Sequence, residues 1–183
     1  MSPSRSWLLF LLVLACAAAF VHFSSASLPE RVGSHFAASG TADGFAPREG
    51  YRAFMLAFAA GFPLLVVALM TVAFTRSGAA LNLPNRDFWL APERRRTTVN
   101  YLVRRATGFG MMMSVFLCYV HWLVVGANRV QPPHLSSGRM IGGLVVFVLL
   151  TFLWLNRLWL YFRRAHRSAA TDSPAAAKEG HGS

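Results

Sequence analysis

Four stretches of this chain, residues 7–23, 53–75, 106–127 and 140–155, contain no Asp, Glu, Lys or Arg, and that leaves few ways to fold. A membrane-spanning helix needs about 20 apolar residues, with a working range of about 17–25. The stretches run to 17, 23, 22 and 16 residues. The last reaches the range by continuing through Asn156 and Arg157 to residue 162, where a long arginine stem can reach the headgroups. A soluble fold would have to cover four such segments, and a chain of 183 residues that is 55% hydrophobic has too little polar surface for it. The expected fold is an all-α membrane protein, a four-transmembrane-helix bundle with spans at about 7–23, 53–75, 106–127 and 140–162. Between them lie a small structured outer loop, 24–52, and a basic inner loop, 76–105. A tail at 168–183, rich in Ala, Ser and Gly, reads as disordered.

The net charge of +11 would suit nucleic acid if the charges formed one patch, but they follow the loops instead. Thirteen basic residues fall on the side of the termini and of the loop 76–105. Five (Arg31, Arg48, Arg52, Arg129, Arg139) fall on the other. Lys and Arg accumulate on the cytoplasmic side of membrane proteins, so both termini are expected in the cytoplasm. Nucleic acid is excluded as a partner because no aromatic-interleaved basic domain exists outside the spans. The two cysteines, Cys16 and Cys118, lie within spans as small packing residues and form no metal-ligand spacing.

The first segment also resembles a signal peptide, with Arg5 before the apolar run and Ser24-Ser25-Ala26 after it. Its 17 apolar residues exceed the usual run of about 7–15, which favours a retained helix over cleavage. Val13-Leu14-Ala15-Cys16 is a loose lipoprotein box, but the apolar residues continue past Cys16, which argues against lipidation.

In the outer loop, residues 31–37 suit a short strand, followed by Gly40 and an Asp43-Gly44 turn signal. Its polar groups are Glu30, His35, Asp43 and Glu49. Pro63 sits inside the second span, where it kinks the helix and frees a carbonyl that a neighbour must satisfy. On the inner side, Pro92 suits the first turn of a helix. Val99, Leu102, Val103 and Ala106 then fall on one helical face, with Arg94, Arg95, Arg96, Arg104 and Arg105 outside it. That predicts a basic amphipathic entry into the third span, lying on the cytoplasmic leaflet and contacting anionic phospholipid or a regulator. Gly138 and Gly142, and Ala15 and Ala19, have the four-residue spacing that lets membrane helices approach. Trp7, Trp122, Trp154, Trp159 and Tyr161 read as an aromatic belt.

Two blocks carry a family resemblance. LPERVGSHFAASGTADGF, residues 28–45, is similar to the signature of the domain of unknown function 1648 family, through Leu28, Pro29, His35, Phe36, Gly40, Asp43 and Gly44. NLPNRDFWLAPERRRTT, residues 82–98, resembles the inner-loop block of that family's small members. Gly33 and Ala37 depart from the family's usual proline and asparagine. The resemblance implies a multi-pass protein of the bacterial inner membrane. The same domain forms the N-terminal part of immunity proteins against the sporulation-delaying toxin, so toxin immunity or signalling is an alternative role.

The resemblance brings no catalytic residues. The spans hold no carboxylate for ion coupling or acid–base work, and the expectation is a non-enzymatic protein without a cofactor. His35, Asp43, Gly40 and Gly44 are its candidate binding residues. His22 and His121, both near the outer leaflet, are the remaining metal or haem candidates, in a redox-subunit reading. Interfacial histidines reaching for headgroups explain them with fewer assumptions.

Overall fold

A computed structural model describes residues 3–76 and 84–171, with side chains through residue 163. The chain is mostly helical and includes four helices long and apolar enough to cross a membrane. In order the elements are α1 (Pro3–Ser25), β1 (Arg31–Phe36), β2 (Ala42–Pro47), α2 (Arg48–Leu56), a π turn (Ala57–Gly61), α3 (Phe62–Arg76), α4 (Arg86–Trp89), α5 (Pro92–Ala127) and α6 (Ser137–Thr171). The second crossing segment is α2, the π turn and α3 read as one body, Arg48–Arg76. It begins five residues before the expected span because Arg48 to Arg52 make a polar first turn above the apolar run.

α5 is the hub. Its faces meet α1 and α3 on one side and α6 on the other. On α1 the buried residues Phe10, Leu14, Ala17 and Val21 make one helical stripe. Phe10 and Leu14 meet Val67 and Ala106 in the middle of the bundle. Gly110 makes this contact possible, since a Cβ there would stand 2.5 Å from Val67 Cγ2 and 2.7 Å from the Phe10 ring. α6 packs chiefly against α5, and none of its apolar window is buried. Across that seam Tyr119 lies on Gly143, where a Cβ would come within 2.2 Å of the ring.

The small-residue pairs singled out by spacing are not the ones that pack. Gly138 and Gly142 face open space, and Ala15 and Ala19 are exposed. Spacing of four marks a face of a helix but not which face meets a partner.

The strain expected at Pro63 is resolved. Proline has no N–H for the carbonyl four residues earlier, that of Ala59. Ser114 Oγ, on α5, donates to that carbonyl at 2.7 Å, and both residues are fully buried. The π turn ends two residues before the proline and contains Ala59.

The basic segment and the third span are continuous. Together they form α5, whose 36 residues span about 54 Å at ~1.5 Å each, well beyond a hydrocarbon core of about 30 Å. α6 likewise continues through Thr171, into the first residues of the expected disordered tail; the rest of that tail lies outside the described residues. The overhanging ends are held by an aromatic cluster of Trp89, Tyr101, Leu102 and Phe162. Trp89 Nε1 donates to the Phe162 carbonyl at 3.1 Å, and Thr98 Oγ1 donates to the Trp89 carbonyl at 2.8 Å.

Gly110→Leu should destabilise the bundle by about 1–3 kcal/mol, the usual cost of overpacking, read as a lower unfolding midpoint in detergent. Gly126→Ala, where a Cβ meets nothing within 4 Å, should leave the midpoint unchanged or raise it.

Candidate functional site: the hairpin cap

The loop at 24–52 folds as an antiparallel hairpin, and it is docked instead of free. The strand expected at residues 31–37 is β1, paired Arg31↔Pro47, Val32↔Ala46, Gly33↔Phe45, His35↔Gly44 and Phe36↔Ala42, with a bulge near Gly33–His35. Asp43-Gly44 is not the turn. Both residues lie in β2, and the chain reverses at residues 37–41, where Gly40 N–H donates to the Ala37 carbonyl and Ala37 N–H to the Thr41 carbonyl. Gly40 has φ 91°, the left-handed region glycine enters without strain. Gly44 needs no such freedom. It lacks a side chain because His35 lies across it, with the His35 Cβ 2.8 Å from where a Cβ would be.

Three sets of bonds fix the hairpin to the helices. Asn128, one residue past α5, uses its amide twice on Gly33: the N–H of Gly33 donates to Oδ1 at 2.7 Å, and Nδ2 donates to the Gly33 carbonyl at 3.0 Å. Nδ2 also reaches the Val124 carbonyl at 2.9 Å, so one side chain ends α5 and holds β1. The hairpin tip joins the α5–α6 connection, where Leu135 N–H donates to the Gly40 carbonyl at 2.8 Å and Ser137 Oγ donates to the Ala38 carbonyl. A Cβ on Gly40 would stand 2.3 Å from the Leu135 carbonyl oxygen, so this docking also requires glycine. At the base, Arg48 N–H donates to the Glu30 carbonyl and its guanidinium to the Leu28 carbonyl. Val32, fully buried, and Leu28 complete the attachment by joining Val21, Tyr51, Met55 and Val124 in the core.

Beneath the hairpin lies His121. It is fully buried, so it is not an interfacial histidine reaching for headgroups. Ser24 Oγ donates to the Phe20 carbonyl and lies 2.8 Å from His121 Nε2, while Tyr51 OH lies 2.9 Å from Nδ1. With the Ser24 proton committed to Phe20, the chain of bonds runs from Tyr51 OH into Nδ1 and from Nε2–H to Ser24. Both ring nitrogens are thus used, linking α1, α2 and α5. His22 is exposed, and its ring stands edge-on to Phe23. The two histidines thus differ in setting, one exposed and one enclosed with both ring nitrogens hydrogen-bonded. Among the described residues no three His, Cys, Asp or Glu side chains come together.

The hairpin's outward face carries two ordered pairs. His35 Nδ1 meets Asp43 Oδ1 at 2.5 Å, both well exposed. The Arg31 guanidinium lies 5.4 Å from the centroid of Phe45, a large ring left 46% exposed. His35 and Asp43 were legible as candidates; Phe45, Arg31 and Asn128 were not singled out. Phe45 could have been found by the alternation of Asp43, Phe45 and Pro47 along β2.

At the opposite end, the arginines divide by role. Arg95 donates to the Thr75 carbonyl at 3.1 Å, closing the C-terminal turn of α3. Arg105 Nε donates to Tyr101 OH, and the Arg104 and Arg105 guanidiniums both lie over that ring. Arg94 lies 4.0 Å from the Phe88 centroid, and Arg96 is exposed. No protein-family model matches the chain, and neither a curated protein nor a solved structure is similar enough to show kinship.

Asn128→Leu should strand two backbone groups of Gly33, each worth about 1–3 kcal/mol when buried without a partner. Limited proteolysis should then cut within residues 31–47, which are protected in the wild type, while the helices remain intact. Asn128→Asp, which keeps an acceptor for the Gly33 N–H but loses the donor, should fall between.

Proposed function

We propose that this is a non-enzymatic, multi-pass protein of the bacterial inner membrane that binds a partner through the outward face of its hairpin. The observation that carries this reading is the preorganised surface of Arg31, His35, Asp43 and Phe45 on a sheet pinned to the helix bundle. An exposed aromatic ring beside paired charges is the composition of a recognition surface, and a pinned sheet loses little entropy on binding. The same pinning gives the face a route into the membrane, because Asn128 and the His121 network tie the hairpin to α1, α2 and α5. The basic end, with Arg94 and Arg96 outermost, is its contact for anionic phospholipid or a regulator, and both termini are cytoplasmic.

The resemblance to the domain of unknown function 1648 family supports the reading, since the matching positions have coherent roles in the hairpin. Leu28 is buried, Gly40 has positive φ, Gly44 lies under His35, and His35 pairs with Asp43. Gly33 departs from the family's proline, and a proline there would have no N–H to give Asn128. The redox-subunit reading loses its support, because the nitrogens of His121 are occupied.

Topology and binding are tested together. Alkaline phosphatase inserted at Ser39 should be active, and the same enzyme fused after Ala170 inactive; the reverse would overturn the orientation. A photo-reactive residue replacing Phe45 should yield a discrete protein adduct in intact cells, and one replacing the lipid-facing Phe54 should not. His35→Ala should reduce the Phe45 adduct severalfold at equal membrane abundance. Equal adducts from both positions would remove the hairpin from the function.

A further inference from the structure

The α5–α6 seam combines a cationic cup and an apolar groove that share one residue. The cup, about 360 Å³, lies at the hairpin end of the seam and is lined by Trp122, Arg129, His134, Ser136 and Arg139 among others. The groove, about 690 Å³, runs from Arg139 past Tyr119, Gly142 and Val146 to Leu150, and Met111 and Met112 wall its far end. Both volumes fall within the range of about 300–1,000 Å³ typical of small-ligand sites. From Arg139 to Leu150 is eleven residues along α6, about 16 Å at ~1.5 Å per residue. That is the depth of one leaflet, half of a hydrocarbon core of about 30 Å.

The chemistry matches the shape. Arg129 and Arg139 are exposed, and among the described residues neither forms an ion pair. The hairpin end offers little to neutralise them: Asp43 is paired with His35 and Glu49 with Arg52, which among the described residues leaves Glu30 as the one carboxylate there outside an ion pair. The groove, by contrast, is apolar and rich in methionine and aromatic side chains, which adapt to a flexible chain. Tyr119 holds the junction, packed on Gly143 with its hydroxyl donating to the Arg139 carbonyl at 2.7 Å.

We propose that this seam binds one anionic phospholipid from the leaflet at the hairpin end, with its phosphate in the arginine cup and one acyl chain in the groove. A second copy of the chain is a poorer occupant, because it would bring further arginines and few free carboxylates to the cup. The bound lipid completes a helix pair that meets along a single seam, and it lies beside the Leu135–Gly40 clamp, where its occupancy bears on the docking of the hairpin tip. The inference goes beyond the recognition role of the hairpin's outward face and does not depend on it.

Native mass spectrometry of the full chain, released from mild detergent and titrated with phosphatidylglycerol or phosphatidylcholine, tests it. The expected result is a one-to-one phosphatidylglycerol adduct at least about tenfold tighter than the phosphatidylcholine adduct. Arg129→Gln and Arg139→Gln should each weaken it roughly fivefold, the scale of one basic residue at an anionic lipid surface. Gly142→Phe fills the groove from a position where a Cβ meets nothing, and it should remove the adducts of both lipids. Arg5→Gln, an exposed position at the other end of the bundle, should leave the one-to-one adduct unchanged. Equal affinity for the two lipids, an adduct indifferent to both arginine variants, or a dimer that Gly142→Phe dissociates would each overturn the proposal. The arginine variants alter exposed side chains, so they decide the matter even if Gly142→Phe does not fold.

Discussion

Asn128 sits where the apolar length of α5 has run out and the chain must turn. At that point a helix leaves carbonyls unpaired, and a hairpin lying against it brings backbone N–H and C=O groups of its own. One carboxamide has the two donors and the acceptor needed to serve both. It bonds Val124 behind it and both polar groups of Gly33 above it. An apolar side chain would leave both groups of Gly33 buried and unpaired, while the Val124 carbonyl would keep the Asn128 backbone N–H, and a charged side chain would satisfy only part of them. Gly33 suits this close approach, since a Cβ there would stand 3.1 Å from Ala42 Cβ and 3.2 Å from Pro133 Cβ and would push those neighbours by a few tenths of an ångström. The position of the hairpin, the burial of Val32 and the shelter over His121 depend on this joint.

Below it the helices obey a different requirement. Lipid offers no hydrogen bonds, so every backbone group must be satisfied within the protein. Ser114 does this for the Ala59 carbonyl, and Tyr51, His121 and Ser24 satisfy one another in a chain. Packing then rests on glycines at helix crossings, Gly110 against Phe10 and Val67 and Gly143 against Tyr119. α6 meets this bundle chiefly along its seam with α5, and a groove remains there.

The four crossing segments were legible because apolar length is a local property of the sequence. So was the need for a partner at Pro63, although not that Ser114, 51 residues later, supplies it. The strand at residues 31–37 was read from its composition, but the hairpin turn was misplaced. Asp-Gly is a strong local turn signal, and here it is overruled by the docking of Gly40 onto Leu135, a contact between residues 95 apart. The same limit hid Asn128 and the burial of His121, whose partners come from α1, α2 and β1. It also led to the choice of Gly138 and Gly142 over Gly143, because spacing specifies a helix face and leaves the partner unnamed. In the candidate site, His35 and Asp43 stood out by residue type, whereas Phe45 became visible only once β2 showed its outward side.

The hairpin is a fixed part of the bundle, held by hydrogen bonds from the Asn128 side chain to Gly33 and from the Leu135 N–H to Gly40. Amide hydrogen exchange of the protein in lipid vesicles measures those bonds directly. The Gly33 and Leu135 amides, bonded to Asn128 and Gly40, should exchange orders of magnitude more slowly than the exposed Ser39 amide at the turn. Exchange of Gly33 and Leu135 as fast as Ser39 would show a hairpin that moves freely above the helices, and would contradict the account.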